Sequence, residues 1–221
     1  MNLPIEKRLS NMVQVKMARL QDSSIEALYE IDERIVLHGG TTIWRCYSGN
    51  RFSDDIDLYV KTPAEVSKIR NGLSFVLKKY GLGIEKVSAI GSSTIITVKG
   101  PEAEIKLEIG LSKRSIKPIS MGFERSNGTR MSVLTLSADD LILEKIDTYS
   151  SRRYSRDIYD IYHLSQSADP KKIGKSVCAF LEGIKPPVDE ENLRAIVYSG
   201  ASPSFESMVE AIGRHFCEIS K

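Results

Sequence analysis

The chain has 221 residues, enough to bury a real core and to hold one large domain or two small ones. Its 31 basic and 29 acidic residues leave a net charge of +2, which excludes nucleic-acid binding by bulk charge, so any basic surface has to be local. No run approaches the ~20 apolar residues of a membrane span. No long apolar segment follows Lys7 and Arg8, so a cytoplasmic protein without a membrane partner is expected. The three cysteines, Cys46, Cys178 and Cys217, have no metal-like spacing, and their odd number speaks against a disulfide framework.

Residues 4–30 carry apolar side chains at helical spacing, with a break expected at Asp22-Ser23-Ser24. A β-rich run, Arg34 to Leu37, then ends in Gly39-Gly40 and feeds a short helix over Thr41 to Cys46. Next comes Ser53-Asp54-Asp55-Ile56-Asp57-Leu58, a strand of period two. Asp55 and Asp57 share one face, on the order of 6.6 Å apart, while Ile56 and Leu58 face a core. Thr62-Pro63 caps a helix over 64–80, and three strands follow over 84–90, 93–99 and 102–110, a meander whose last member places Glu104, Lys106 and Glu108 on one face. Residues 112–131 are basic and irregular, with Lys113, Arg114, Lys117, Arg125 and Arg130, read either as a solvated loop or as a basic rim for an acceptor. A short strand over 131–136 precedes Ser137, an N-cap with Asp140 at the third helical position. The rest is helical, over 138–149, 155–165, 170–183, 189–198 and 203–219, broken at Lys185-Pro186-Pro187 and at Gly200 to Pro203.

Two of these features carry chemistry. A glycine pair that opens a helix lets the backbone approach an anion, which the unpaired N–H groups and the dipole then favour. Two aspartates alternating on a strand repel each other unless a cation sits between them, and Mg²⁺ takes such hard oxygen ligands together with waters and substrate phosphates. Together they read as a nucleoside triphosphate site.

The order of Gly39-Gly40, a short helix, Arg51-x-Ser53 and Asp55-Ile56-Asp57 resembles the first motif of the AbiEii/AbiGii-type nucleotidyltransferases, a toxin branch of the polymerase-β-like superfamily. Lys106-Leu107-Glu108-Ile109, Asp140 to Lys145, and Arg153 to Asp160 resemble the later motifs in the same order, so the likeness spans residues 30–165. Two departures stand out. Glu108 replaces the family's more common aspartate, and Asp160 lies only three residues after Asp157. The resemblance implies an α+β fold, with a polymerase-β-like core of a small mixed sheet and flanking helices over residues 1–136. A helical C-terminal domain over 137–221 would close the nucleotide cleft.

It also implies roles. Asp55, Asp57 and Glu108 would hold two Mg²⁺ ions, Glu108 doubling as general base. Gly39, Gly40 and Thr41, helped by Arg51 and Ser53, would cradle the phosphates. Lys145 would reach the triphosphate with Asp140 fixing its position, and Lys106 would do likewise or pair with Glu108. Arg153, Asp157 and Asp160 would lie behind the site or on its nucleoside side, or form an ordinary ion-pair network with Arg156. Tyr154, Tyr159 and Tyr162 read as packing residues, and His38, His163 and His215 as structural ones.

The function implied is transfer of a nucleoside monophosphate from an NTP to an acceptor hydroxyl, on RNA such as a tRNA end or on protein, by a toxin that a cognate antitoxin controls. The rivals are the same chemistry on a small hydroxylated molecule such as an antibiotic, and a non-catalytic NTP-binding module.

Overall fold

The computed structural model describes residues 3–112, 116–200 and 202–217. Lys113 and Arg114 of the basic stretch, and residues 218 and 219 of the last expected helix, lie outside them. The chain divides into two compact units. One comprises Met1–Ser48 with Phe52–Thr135, the other Gly49–Arg51 with Leu136–Lys221.

The first unit opens with helices α1 (Ile5–Arg8) and α2 (Met12–Ile31). The interruption falls at residues 9–11, where Asn11 accepts a hydrogen bond from Val13 N (2.8 Å), and not at Asp22-Ser23-Ser24 as the residue types suggested. Asp22 does not divert its own backbone, because its carboxylate accepts from the buried Arg45 guanidinium and from Ser126 N (2.8 Å). The mixed sheet contains β1 (Val36–His38), β2 (Ile56–Val60), β3 (Gly83–Ile90), β4 (Ser93–Lys99), β5 (Glu104–Leu111), β6 (Ile119–Glu124) and β7 (Arg130–Thr135), in the order β3-β4-β5-β2-β1-β7-β6. Strand β6 corrects the reading of 112–131 as irregular throughout. Its Ile119, Met121 and Phe123 alternate with Ser120, Gly122 and Glu124, a period-two signal of only six residues inside a basic stretch, and the strand pairs with β7. Helix α3 (Gly39–Cys46) leaves β1, and α4 (Pro63–Lys79) joins β2 to β3 through a Thr62–Glu65 capping box.

Burial alternates along β2 and over residues 104–109 of β5. Ile56, Leu58 and Val60 of β2, and Ile105, Leu107 and Ile109 of β5, enter a core shared with Leu20, Ile25 and Leu28 of α2 and Ile69, Leu73 and Leu77 of α4. The intervening residues face the other way.

The second unit holds α5 (Ala138–Arg152), α6 (Ser155–Leu164) running into a 3₁₀ turn, α7 (Pro170–Glu182), α8 (Glu190–Ile196) and α9 (Phe205–Cys217). Residues 49–51 belong to it because Arg51 bridges Val197 and Tyr198 N donates to Asn50 O (3.0 Å). Helices α7 and α9 lie close enough for Cys178 and Cys217 to form a disulfide, with Cα atoms 5.8 Å apart. This overturns the expectation from cysteine count. An odd total leaves one cysteine over, here the buried Cys46, whose thiol burial pushes up to about 12, and says nothing about whether the other two meet. Closing a loop of 39 residues is worth roughly 4 kcal/mol through the unfolded state. The denatured, unreduced protein is therefore expected to show one titratable thiol and the reduced protein three. Cys178→Ser should lower the unreduced protein's unfolding free energy by up to that amount, and equal stability of the two in urea would show that the crosslink is absent.

Candidate active site

In the first unit the acids are placed by strand register. Strands β2 and β5 run parallel with Asp57 opposite Glu108, so the two carboxylates leave the same face of neighbouring strands, whose backbones lie about 4.8 Å apart. On the other side β1 pairs antiparallel with β2, which sets His38 opposite Asp57 and brings the following glycine over it. The approach is so close that a Cβ on Gly39 would lie 2.0 Å from Asp57 Oδ2, and Gly39 also has φ +72°. No other residue type fits both demands. The helix that Gly39 opens, α3, thus begins against this carboxylate.

Asp55 stands just before β2, outside the ladder, and its backbone is held by side chains instead. Thr41 Oγ1 donates to Asp55 O and, at 3.4 Å, to Ser53 O. Gln21, fully buried on α2, donates from Nε2 to Ser53 O (2.8 Å) and Asp54 O (3.0 Å). Gln21 lies upstream of every motif and acts through a tertiary contact, so no local pattern marks it. The Thr41 hydroxyl is thus spent on the loop rather than offered to a phosphate. Lys106 shares the exposed face of β5 with Glu108, two residues on, and no ion pair joins them. His38 stacks on Tyr59 at 3.7 Å between ring centres, in keeping with a structural histidine.

The donor set suits Mg²⁺ on chemical grounds, because the acids offer hard carboxylate oxygens and no soft ligand. Among the described residues, no three His, Cys, Asp or Glu side chains are close enough to form a metal cage by themselves. Such a cage is not what Mg²⁺ uses, since it commonly takes one or two carboxylates and completes its shell with water and substrate phosphates.

In the second unit four of the predicted residues, Arg51, Lys145, Asp157 and Asp160, form a buried ion network. Arg51 grips Asp160 with two hydrogen bonds of 2.6 Å, and Lys145 Nζ lies 2.8 Å from Asp160 and 3.0 Å from Asp157. Arg152 completes it with bonds of 2.8 and 2.9 Å to Asp157. Asp157 and Asp160, three apart on α6, point to one side as their spacing implied, and both are buried. Asp140 is not the residue that fixes Lys145. Its carboxylate accepts from Ser137 Oγ (2.7 Å) at the cap of α5, while Asp157 and Asp160 hold the lysine. Arg153 ends α5 in the left-handed region at φ +52°, its carbonyl accepting from Val188 N (2.9 Å), and Arg156 packs over the Tyr154 ring.

Burial opposes ionisation of Asp160, but Arg51 and Lys145 outweigh it and hold the carboxyl below its ordinary range. Because the folded-state pKa is the lower one, this stabilisation is in place above the ordinary carboxylate pKa of roughly 4 and disappears as pH falls through the folded value. Asp160→Asn should then cost roughly 3–5 kcal/mol at pH 7, the gap to wild type narrowing below about pH 4, as urea titrations at a series of pH values would reveal. Gly39→Ala should cost more than about 1 kcal/mol, because it is strained at φ +72° and collides with Asp57, and differential scanning calorimetry would measure it.

No curated protein matches the chain. Among solved structures, MenT4, a nucleotidyltransferase toxin from Mycobacterium tuberculosis H37Rv, superposes with TM-score 0.65 at 17% identity, over 98% of this chain and 87% of that one. JHP933 from Helicobacter pylori superposes with TM-score 0.57 at 15% identity, over 93% and 90%. At such identities the likeness is one of fold. The model of the family described as nucleotidyl transferase AbiEii toxin, type IV toxin–antitoxin system, matches residues 26–198. With the glycine elbow, the acid pair and the ion network all inside that span, the chain belongs to the AbiEii family and is a nucleotidyltransferase.

Proposed function

We propose that this nucleotidyltransferase moves a nucleoside monophosphate from an NTP to an acceptor hydroxyl on RNA or protein, that Mg²⁺ is its cofactor, and that it acts as a toxin restrained by a cognate antitoxin. The observation that carries the chemical part is the register that sets Asp57 beside Glu108 with the Gly39 turn against the Asp57 carboxylate. The biological part rests on family membership.

Asp55, Asp57 and Glu108 would hold two Mg²⁺ ions, with each ion taking one or two of the carboxylates. When bound there with the nucleotide, Mg²⁺ supplies charge neutralisation to the triphosphate and makes the acceptor hydroxyl easier to deprotonate. Glu108, the exposed acid, takes the acceptor's proton. The acceptor oxygen bonds to the α-phosphorus as the bond to the bridging oxygen breaks, and pyrophosphate departs with that electron pair. The amides of Gly39, Gly40 and Thr41 offer donors to the phosphates at the start of α3. Ser53 contributes through the loop that carries Asp55, and Lys106 supplies a positive charge on the same face as Glu108. In the helical unit, Lys145 and Arg51 are the cations assigned to the triphosphate, with Asp157 and Asp160 fixing them. Asp140 and Arg153 then act through the ends of α5.

Incubation with each α-labelled NTP, Mg²⁺ and either total RNA, a protein extract or a panel of hydroxylated small molecules should place label in the RNA or protein fraction. Label confined to small molecules would replace the acceptor class, and no transfer from any NTP would overturn the reading. Asp57→Asn should reduce transfer on the order of 10²–10³-fold with an unchanged thermal midpoint.

A further inference from the structure

The three acids of the proposed site are not positioned in the same way. Asp57 and Glu108 sit inside strands, where ladder hydrogen bonds to neighbours on both sides fix their backbones. Asp55 has no place in that ladder. The loop that carries it presents three consecutive carbonyls, of Ser53, Asp54 and Asp55, and each accepts from a side chain of another element: Gln21 Nε2 serves the first two and Thr41 Oγ1 the third. We infer that Gln21 is a positioning residue that sets the Asp55 carboxylate for metal and nucleotide binding, an inference that rests on the proposed role of Asp55.

Three features support this. Gln21 is fully buried, yet its Oε1 accepts no hydrogen bond among the described residues. Burying half an amide unsatisfied is unfavourable, and an apolar residue of the same volume would pack the site without that penalty. What the glutamine adds is two N–H donors aimed at adjacent carbonyls, which an apolar residue lacks. The orientation of the amide is also fixed, because turning it over would set Oε1 against two carbonyl oxygens. Finally, Gln21 lies on a helix that enters the core through Ile25 and Leu28, so the loop is tied to the hydrophobic core of the unit. The residue stands outside the stretch that matches the family model, residues 26–198.

Substituting a residue behind a metal ligand characteristically weakens metal binding about 10–100-fold. Gln21→Met keeps the volume and removes both donors. It is expected to raise, by that factor, the Mn²⁺ concentration that half-saturates the protein in an electron paramagnetic resonance titration and the Mg²⁺ concentration for half-maximal transfer. The rate at saturating Mg²⁺ should stay within a few-fold of wild type. Recovery in excess metal separates positioning from general damage to the fold, which would depress transfer at every metal concentration. Thr41→Val and Thr41→Ser probe the same loop should Gln21→Met fail to fold, the valine variant shifting the metal dependence and the serine variant, which keeps the hydroxyl, restoring it. Wild-type metal dependence in Gln21→Met, or in Thr41→Val where that variant has to stand in, overturns the inference, as does a loss that excess metal cannot recover. Asp55→Asn tells the two levels apart: if it transfers and binds Mn²⁺ like wild type, the reading of the site itself fails, and if it is impaired while Gln21→Met is not, only the positioning role falls.

Discussion

A parallel strand pair cannot be closed by a tight turn, and between β2 and β5 the chain makes its return through α4, β3 and β4 before the two strands lie side by side. What fixes their register at the end of that excursion is the core. Leu58 on β2 and Leu107 and Ile109 on β5 are fully buried on one face, and a slip of one residue would turn Leu107 outward beside Asp57 and drive Glu108 inward. The pairing of two carboxylates therefore follows from the packing of apolar residues on the opposite side of the sheet. The Gly39 turn is subject to the same constraint from the other flank, since the β1 register that sets His38 opposite Asp57 decides which residue meets the carboxylate.

This explains what the amino-acid order revealed and what it hid. Alternation along β2 and β5 is a local signal, and so are the glycine pair and the Thr62-Pro63-x-Glu65 cap, so the acidic face and the elements that build it could be read from neighbours a few residues apart. Strand β6 carries the same alternation in Ile119, Met121 and Phe123, but over six residues that include Gly122 and sit within a basic stretch, so the charge pattern masks it. The hidden features are those decided by contacts distant in sequence. Asp22 looked like a helix breaker until Arg45 and Ser126 claimed its carboxylate, and Cys178 met Cys217 only through the packing of α7 on α9. Arg51 read as part of the glycine motif, yet hydrogen bonds with Val197, Tyr198 and Asp160 assign its segment to the helical unit.

The ion network of that unit bears on function through its energetics. Lys145, Asp157 and Asp160 are buried together with Arg51, and taking charges out of water costs several kcal/mol apiece, a penalty that pairing roughly offsets without surplus. Apolar residues of similar volume would commonly leave such a bundle as stable or more so. Stability alone thus gives no reason for an arginine, a lysine and two aspartates at these positions, while the proposed binding role does. Two carboxylates hold Lys145 in one geometry, and Asp160 stays ionised because Arg51 and Lys145 outweigh its burial. A lysine fixed in this way is ready to meet an anion without first losing the rotamer freedom of a surface side chain, which is the property that the assignment of Lys145 to the triphosphate requires.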